Sequence, residues 1–245
     1  FNGNYHADNG GSIYINPKHD VSIEGCQFNN NKAKTGASIC IKPDYNDYTS
    51  LSFIEVTQCH FLQNEAEESY SVYIESGSTK TLKINLCIFE EDNGILIDNF
   101  KKEVKINDNL FFNSLKDASL TLIQNNGHFK EPVTIDGCTF DSCTADNNKC
   151  FYLLIEILDF YFQNCIIQNM KDTGVNNYVG TLDTKEGTNL DIKNISFINN
   201  SCDALYGGGI GIRFIEFEQL RFRSCKFIGN VAKQNRTISR PTTDG

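Results

Sequence analysis

The chain has 245 residues, a formal net charge of −9 at pH 7, ten cysteines and no tryptophan. This negative charge argues against a general nucleic-acid-binding protein, which needs a basic face to neutralise phosphates. No stretch approaches the roughly 18–20 consecutive apolar residues of a membrane-spanning helix, so we expect no membrane span in this segment.

One phrase recurs along the chain about every 28 residues. It consists of two alternating apolar residues, two spacers, a frequent Cys, any residue, a Phe, and often an Asn three residues later. The apolar pairs of its copies are Val21/Ile23, Ile54/Val56, Leu82/Ile84, Val104/Ile106, Val133/Ile135, Phe160/Phe162, Leu190/Ile192 and Leu220/Phe222. A repeat of this length indicates a solenoid.

A second phrase alternates with the first and consists of small residues followed by two apolar residues at period two. Its copies are Ile13/Ile15, Ile39/Ile41, Val72/Ile74, Ile95/Ile97, Leu120/Leu122, Phe151/Leu153 and Ile210/Ile212, with a degraded copy between Val179 and Leu182. Alternation at period two predicts half-buried strands. A unit with two or three short strands cannot bury its own apolar face, so the units must stack on one another.

These periods predict an all-β fold, a right-handed parallel β-helix of about eight coils, with a corner between strands at Glu24-Gly25. Residues 1–232 are expected to form this single domain, and residues 233–245 a polar C-terminal tail or the start of a further segment. Leucine-rich repeats are the main alternative, but they need a Leu-dominated phrase and a helical side in each unit. Because the pattern is already under way at Phe1, we expect the chain to be a segment of something longer.

Stacking of the coils in register predicts two structural ladders. The first contains Phe28, Phe61, Phe89, Phe111, Phe140, Phe197 and Phe227, and the second contains Cys26, Cys59, Cys87, Cys138, Cys165 and Cys225. Stacked rings bury a large apolar area, so the Phe residues are interpreted as core. The cysteines are expected to be buried free thiols, because parallel Cβ vectors disfavour disulfides between coils. Cys143 and Cys150 are a candidate local bridge.

No residue pattern marks the chain as an enzyme. The four histidines have no metal-ligand spacing, so we assign no catalytic residue, no metal ligand and no cofactor. A carbohydrate-active β-helix would need acidic residues at matching positions of adjacent coils. Candidates for such an edge are Glu65, Glu67, Glu68, Glu90, Glu91 and Asp92, for which a solvated corner is the alternative interpretation.

The basic residues are concentrated at the end of the chain. All five arginines follow residue 212, and the chain from residue 205 onward carries a net charge of +4. Arg221 and Arg223 alternate with apolar residues, which predicts an outward basic stripe. It is either the ordinary surface of a capping coil or a docking surface for an acidic protein partner or neighbouring domain.

Insertions between the phrases are the other binding candidates. The first is Lys42–Ser50, which carries Tyr45 and Tyr48, and the others are Glu65–Ser71 and Asn125–Glu131. The two tyrosines are suited to stacking on glycans or contacting a protein, or they simply cover the coil beneath.

The combined phrase Phe-x-x-Asn-x-Ala followed by a small-residue cluster and Ile resembles a known repeat. Phe28-Asn-Asn-Asn31-Lys-Ala33-Lys-Thr-Gly36-Ala-Ser-Ile39 is similar to the repeat of polymorphic outer-membrane proteins, and related β-helix repeats occur in surface proteins of protists. Similar copies are Phe61–Ala66, Phe197–Ile210 and Phe227–Ala232, whereas the middle coils depart from the pattern. The resemblance implies a surface-displayed module used for adhesion or as a structural stalk, and it carries no catalytic residues.

We therefore expect a non-catalytic β-helix scaffold of a larger surface or extracellular protein. The first alternative is a polysaccharide-binding or polysaccharide-cleaving β-helix. The second is an intracellular or filament-associated structural component, which a ladder of free thiols would suit equally well.

Overall fold

A computed structural model describes most of the chain in twelve ranges. They are residues 1–42, 53–68, 70–75, 79–114, 119–124, 131–145, 151–155, 159–172, 180–184, 188–202, 212–215 and 218–232.

Three parallel sheets of eight strands each run along the molecule. Sheet one consists of Ile13–Ile15, Ile39–Ile41, Val72–Glu75, Ile95–Asp98, Leu120–Ile123, Phe151–Ile155, Gly180–Thr184 and Ile212–Ile215. Sheet two consists of Val21–Glu24, Phe53–Thr57, Thr81–Asn85, Glu103–Asn107, Val133–Asp136, Asp159–Gln163, Asn189–Lys193 and Gln219–Arg223. Sheet three consists of Gln27–Asn29, His60–Leu62, Ile88–Glu90, Leu110–Phe112, Thr139–Asp141, Ile166–Gln168, Ser196–Ile198 and Lys226–Ile228.

Two minor sheets follow sheet three in six of the eight coils of the described ranges. One pairs Lys32–Ala33 with Glu65–Ala66, and the other contains Thr144–Ala145, Lys171–Asp172, Ser201–Cys202 and Val231–Ala232. Every strand within the described ranges pairs only with parallel neighbours from adjacent coils. The predicted all-β, parallel solenoid is therefore confirmed.

Period-two alternation places the apolar residues inside. In Val21–Glu24, Val21 and Ile23 are buried whereas Ser22 and Glu24 are exposed. The register sets Val21 beside Ile54 of the next coil, and the same alignment repeats through sheet two. The first recurring phrase thus supplies one face of a continuous core.

The last strand of sheet one differs from the prediction by two residues. The strand Ile212–Ile215 pairs Ile212 with Gly180 and Phe214 with Leu182, so the expected pair Ile210/Ile212 was wrong. Three apolar residues at period two, at positions 210, 212 and 214, satisfy the pattern equally well after a shift of two residues. Only pairing with the neighbouring coil selects between the two registers.

Each coil turns two corners on single residues with a positive φ. Between sheets two and three these are Gly25, Gln58, Leu86, Asp108, Gly137, Asn164, Asn194 and Ser224. After sheet three they are Asn30, Gln63, Glu91, Asn113, Ser142, Asn169, Asn199 and Gly229. Gly adopts this conformation without a steric cost, and Asn tolerates it better than most residues. The corner predicted at Gly25 is present, and its φ is 63°.

The Phe position forms an aromatic stack along sheet three. From Phe1 to Phe140, successive ring centroids lie 4.6–5.0 Å apart with nearly parallel planes. Ile167 interrupts the stack, which resumes with Phe197 and Phe227 at 5.0 Å. Phe1 extends the ladder by one ring beyond the sequence prediction.

The cysteine ladder lies at the corner between sheets two and three. The six ladder cysteines are free thiols, four of them buried, while Cys26 and Cys225 are partly exposed. Each of the four donates to a backbone carbonyl of the preceding coil; the Cys138 thiol, for example, lies 3.4 Å from the oxygen of Ile106. Asn109 takes the same position in the fourth coil, and its Nδ2 donates to the oxygen of Ile84 at 2.8 Å. Where Cys or Asn occupies this position, its side chain thus satisfies the carbonyl of the preceding coil. In the seventh coil the buried apolar side chain of Ile195 fills the same place. The candidate partner Cys150 lies outside the described residues.

The Asn three residues after the Phe forms short amide ladders in the first two and the last two coils. The Nδ2 of Asn31 donates to Oδ1 of Asn64 at 2.8 Å, and the Nδ2 of Asn64 donates to Oδ2 of Asp92 at 2.8 Å. Asn200 and Asn230 repeat the arrangement near the other end, at 3.0 Å. Because these polar groups satisfy one another, the ladder locks the register of adjacent coils.

Phe151 and Gly180 form a large-to-small pair in sheet one. They are register partners, and a Cβ added to Gly180 would lie 2.0 Å from Cζ of the buried Phe151 ring. Gly180→Val is therefore expected to destabilise the fold by about 1–3 kcal/mol through overpacking. Urea unfolding monitored by circular dichroism would measure the change.

A double-mutant cycle provides the control for this pair. Phe151→Val makes room for the new side chain, so the double variant is expected to be more stable than the sum of the two single changes predicts. Additive effects would show that the ring does not occupy the space above Gly180.

Candidate functional site

The candidate site lies on the outer face of sheet two, across its last three strands. Asp159–Gln163, Asn189–Lys193 and Gln219–Arg223 pair in register, so their outward side chains form columns that cross the strands. The first column contains Asp159, Asn189 and Gln219, and the second contains Tyr161, Asp191 and Arg221. The inward residues between them, such as Phe160 and Leu190, belong to the core.

A cavity of about 140 Å³ lies between these two columns. Its lining consists of Asp159, Tyr161, Asn189, Leu190, Asp191, Gln219 and Arg221. All of them except Leu190 carry polar groups, and Tyr161, a residue that is 36% exposed, adds an aromatic ring. The cavity therefore combines a small apolar surface with carboxylate, amide and guanidinium groups.

Hydrogen bonds along the first column fix part of the lining. The Nδ2 of Asn189 donates to Oδ1 of Asp159 at 3.2 Å. This contact orients the Asn189 amide towards the neighbouring coil. The Asp159 carboxylate keeps further acceptor capacity, since an ionised carboxylate can accept about four hydrogen bonds.

The two arginines of the last strand have different contacts. Arg223 donates from Nε to Oδ1 of Asp191 at 3.1 Å and forms a second contact from Nη2 to Oδ2. The Asp191 side chain is only 17% exposed beneath it. Arg221, which is the register partner of Asp191, instead donates from Nη2 to Oε1 of Gln219 at 2.7 Å.

The basic residues predicted from the sequence thus lie on the outer face, but they are not equivalent. Arg221 lines the cavity, whereas Arg223 covers a carboxylate beside it. Tyr45 and Tyr48 lie outside the described residues, as does most of their loop.

The acidic candidates from the second and third coils do not converge on one groove. Glu65 pairs with Lys32 at 2.9 Å, and Glu68 pairs with Lys34 at 3.1 Å. Glu91 accepts a hydrogen bond from Gln63 at 2.7 Å. Asp92 is buried rather than on a solvated edge, because it occupies the position of the amide ladder. Within the described ranges, no group of three or more His, Cys, Asp or Glu residues is placed to hold a metal ion.

Sequence reasoning did not identify most of the cavity. Asp159, Tyr161, Asn189, Asp191 and Gln219 are the outward residues of the sixth to eighth copies of the first phrase. The detectable signal was Tyr161 between Phe160 and Phe162, an aromatic residue on the outward side of the alternation. Comparing the outward positions of successive copies would have revealed the cluster.

Comparisons of the chain with protein-family models, curated proteins and solved structures found no match. The resemblance to polymorphic outer-membrane proteins therefore depends on the repeat phrase alone. In the described part of the chain, no helix has the length and apolar character needed to cross a membrane.

Proposed function

We propose that this chain is a non-catalytic β-solenoid scaffold of a larger surface or extracellular protein, and that it serves adhesion by binding a saccharide on sheet two. The cavity between Asp159, Tyr161 and Arg221 is the observation that carries this proposal. The repeat phrase, with its resemblance to surface-protein repeats, supports the scaffold part.

The chemistry of the lining favours a saccharide. A sugar hydroxyl both donates and accepts hydrogen bonds, and the cavity offers acceptors on Asp159 beside donors on Asn189 and Arg221. The partly exposed ring of Tyr161 offers an apolar face against which the C–H side of a sugar ring can pack. This combination of one aromatic surface with several planar polar groups suits a ring that carries many hydroxyls.

The size of the cavity favours the binding of one sugar unit of a longer polysaccharide. Its volume of about 140 Å³ is well below the roughly 300–1,000 Å³ of pockets that enclose a whole small molecule. It is also open across three neighbouring strands, a span of about 10 Å. We therefore expect a single ring to occupy it while the rest of the polysaccharide extends along the sheet.

Tyr161→Ala tests this function. The variant is expected to bind its polysaccharide about tenfold more weakly, because the ring surface is lost. Its stability is expected to change little, since the side chain faces outward. A panel of neutral and acidic polysaccharides, followed by calorimetric titration of those that bind, would measure the effect.

Tyr14→Ala is the matched control, because Tyr14 is an exposed tyrosine on sheet one, far from the cavity lining. Binding that Tyr161→Ala leaves unchanged, or the absence of binding to every member of the panel, would contradict the proposal.

Polysaccharide cleavage is the second candidate function. Two carboxylates, Asp159 and Asp191, line one cavity together with the cationic Arg221, and cleavage of acidic polysaccharides uses such groups. Binding is favoured over cleavage because Arg223 occupies both oxygens of Asp191, which leaves one carboxylate available for proton transfer. Prolonged incubation with each bound polysaccharide, with detection of new chain ends, separates the two functions.

A further inference from the structure

Arg221 presents a cation to the cavity without a carboxylate partner in the described ranges. The acidic residue beside it in register, Asp191, is engaged by Arg223 through two contacts. The hydrogen bond that Arg221 makes is to the neutral side-chain oxygen of Gln219. In this strand, Arg223 thus neutralises Asp191, whereas Arg221 lies at the cavity with its charge uncompensated by a carboxylate of the described ranges.

The remaining donors of Arg221 suit a carboxylate. A guanidinium has five N–H groups in a planar fork, and its hydrogen bond to Gln219 uses Nη2. This fork matches the two oxygens of a carboxylate better than it matches a single hydroxyl. Gln219 also fixes the guanidinium, so part of the entropic cost of ordering a long side chain is met before a ligand arrives.

We propose that the cavity recognises a carboxylated sugar, a hexuronate unit of an acidic polysaccharide, whose carboxylate binds Arg221 while its ring lies on Tyr161. The inference rests on the saccharide-binding function proposed above and names its ligand class. In this arrangement Asn189 and Asp159 contact the hydroxyls at the far end of the ring or on the next unit.

The acidic residues of the lining do not oppose this assignment. Arg223 compensates the charge of Asp191. Asp159 lies two strands away from Arg221, so their backbones are about 10 Å apart, and its carboxylate is hydrogen-bonded by Asn189. The Debye length at physiological ionic strength is about 8 Å. Dissolved salt therefore weakens the repulsion between the Asp159 carboxylate and a sugar carboxylate bound at Arg221. The contact with Arg221 therefore dominates the local electrostatics.

A matched pair of ligands tests the ligand class. Calorimetric titration would compare an oligogalacturonate with the same oligomer after full methyl esterification, in which the carboxylate is masked and the sugar ring is retained. An oligomannuronate and its methyl ester would form a second pair, so that the stereochemistry of the hydroxyls is varied separately from the charge. At least one acid form is expected to bind about tenfold or more tightly than its ester.

Three variants assign the effect to Arg221. Arg221→Gln is expected to abolish the preference for the acid form, and Arg221→Lys is expected to restore part of it, since the charge is kept and the fork is lost. Lys226→Gln removes one positive charge from the outer face of sheet three in the same coil, away from the lining, and is expected to keep the preference. It controls for the general electrostatic field of this end of the solenoid.

The outcomes distinguish this inference from the function on which it rests. Equal binding of acid and ester, or an acid preference that survives Arg221→Gln, would overturn the uronate assignment and leave saccharide binding intact. A complete lack of binding to the neutral and acidic panel would overturn both. If Arg221→Gln and Lys226→Gln lost the preference for the acid form equally, the preference would arise from the net positive charge of this end of the solenoid. That result would also refute the uronate assignment.

Discussion

Replacing Phe140 by Ala is expected to lower the free energy of unfolding by about 3–5 kcal/mol. The Phe140 side chain is completely buried, and its ring stacks on that of Phe111 at a centroid distance of 4.9 Å. Its ladder neighbour on the other side is Ile167, and it also contacts the tilted ring of Phe151 in sheet one at 6.0 Å. The substitution removes apolar burial and leaves a cavity between two neighbours whose strands are fixed by pairing, so the site cannot collapse to fill it.

Urea unfolding of the natural chain and of Phe140→Ala, monitored by circular dichroism, would measure the change, and thermal melting of both proteins would provide a second measurement. Phe112→Ala is the control, because Phe112 is in the neighbouring strand of sheet three but faces outward and is only partly buried. It is expected to cost much less than the Phe140 change. An unchanged melting temperature for Phe140→Ala would show that the register of the Phe ladder is wrong.

The position within the ladder determines the size of such effects. Phe227 has Phe197 on one side at 5.0 Å and is 48% exposed, whereas Phe140 is covered on both sides. Truncation of Phe227 is therefore expected to cost less than truncation of Phe140, although the two residues are equivalent in the sequence repeat. Burial by the neighbouring coil sets the energy of each copy, as expected for a solenoid.

The sequence was sufficient to predict the fold class because the determining signal is local and repeated. Each copy of the phrase gives the same alternation, and a strand that alternates at period two must bury one face. The prediction and the structure differ in the last two strands of sheet one, where the alternation is either degraded, between Val179 and Leu182, or compatible with two registers, at positions 210, 212 and 214. Gly180 replaces a large residue because Phe151 of the preceding coil fills its space, and no local pattern encodes that exchange.

The candidate site could not be predicted to the same extent. The alternation indicates that Arg221 and Arg223 face outward, but it does not state which of them reaches Asp191. That choice depends on side-chain length and on the diagonal distance between neighbouring strands, which only the three-dimensional arrangement fixes. Asp159 and Tyr161 are far from these arginines in sequence, and it is the stacking of coils that places all of them around one cavity.

Asp92 is expected to make the stability of the solenoid depend on pH. Burial raises the pKa of this carboxyl to about 6, although Asn64, Ser71 and the backbone N–H groups of Asn64 and Gly94 donate hydrogen bonds to it. These donors are neutral, so they offset only part of the cost of removing the charge from water.

The sign follows from the two pKa values. The folded state holds the proton up to about pH 6, whereas the unfolded chain releases it near the ordinary aspartate pKa of 3.8. Stability is therefore greatest while Asp92 is neutral, falls as the pH rises from about 4 to 6, and stays reduced above that range. A difference of about two units corresponds to about 3 kcal/mol, of which about 2–3 kcal/mol is expected to appear between pH 4 and pH 8.

Asp92→Asn removes this titration and keeps the size of the side chain. Between pH 4 and pH 8, the free energy of unfolding of the natural chain is expected to fall by about 2–3 kcal/mol relative to that of the variant. Urea titrations at intervals across this range would measure it, and the subtraction cancels the contribution of every other titrating group.

Asp141→Asn is the control of opposite sign. Burial acts to raise the pKa of Asp141, but hydrogen bonds from Asn169, Gln168 and Ser142 outweigh it and lower the pKa overall. Its ionised form therefore stabilises the fold above the unfolded pKa, and that contribution is lost as the pH falls. The natural chain should thus gain stability relative to Asp141→Asn as the pH rises and lose it relative to Asp92→Asn. If the free energies of unfolding of the natural chain and of Asp92→Asn changed in parallel with pH, the Asp92 carboxylate would be compensated by water or by an unrecognised cation. The amide ladder would then not end in a buried, uncompensated acid.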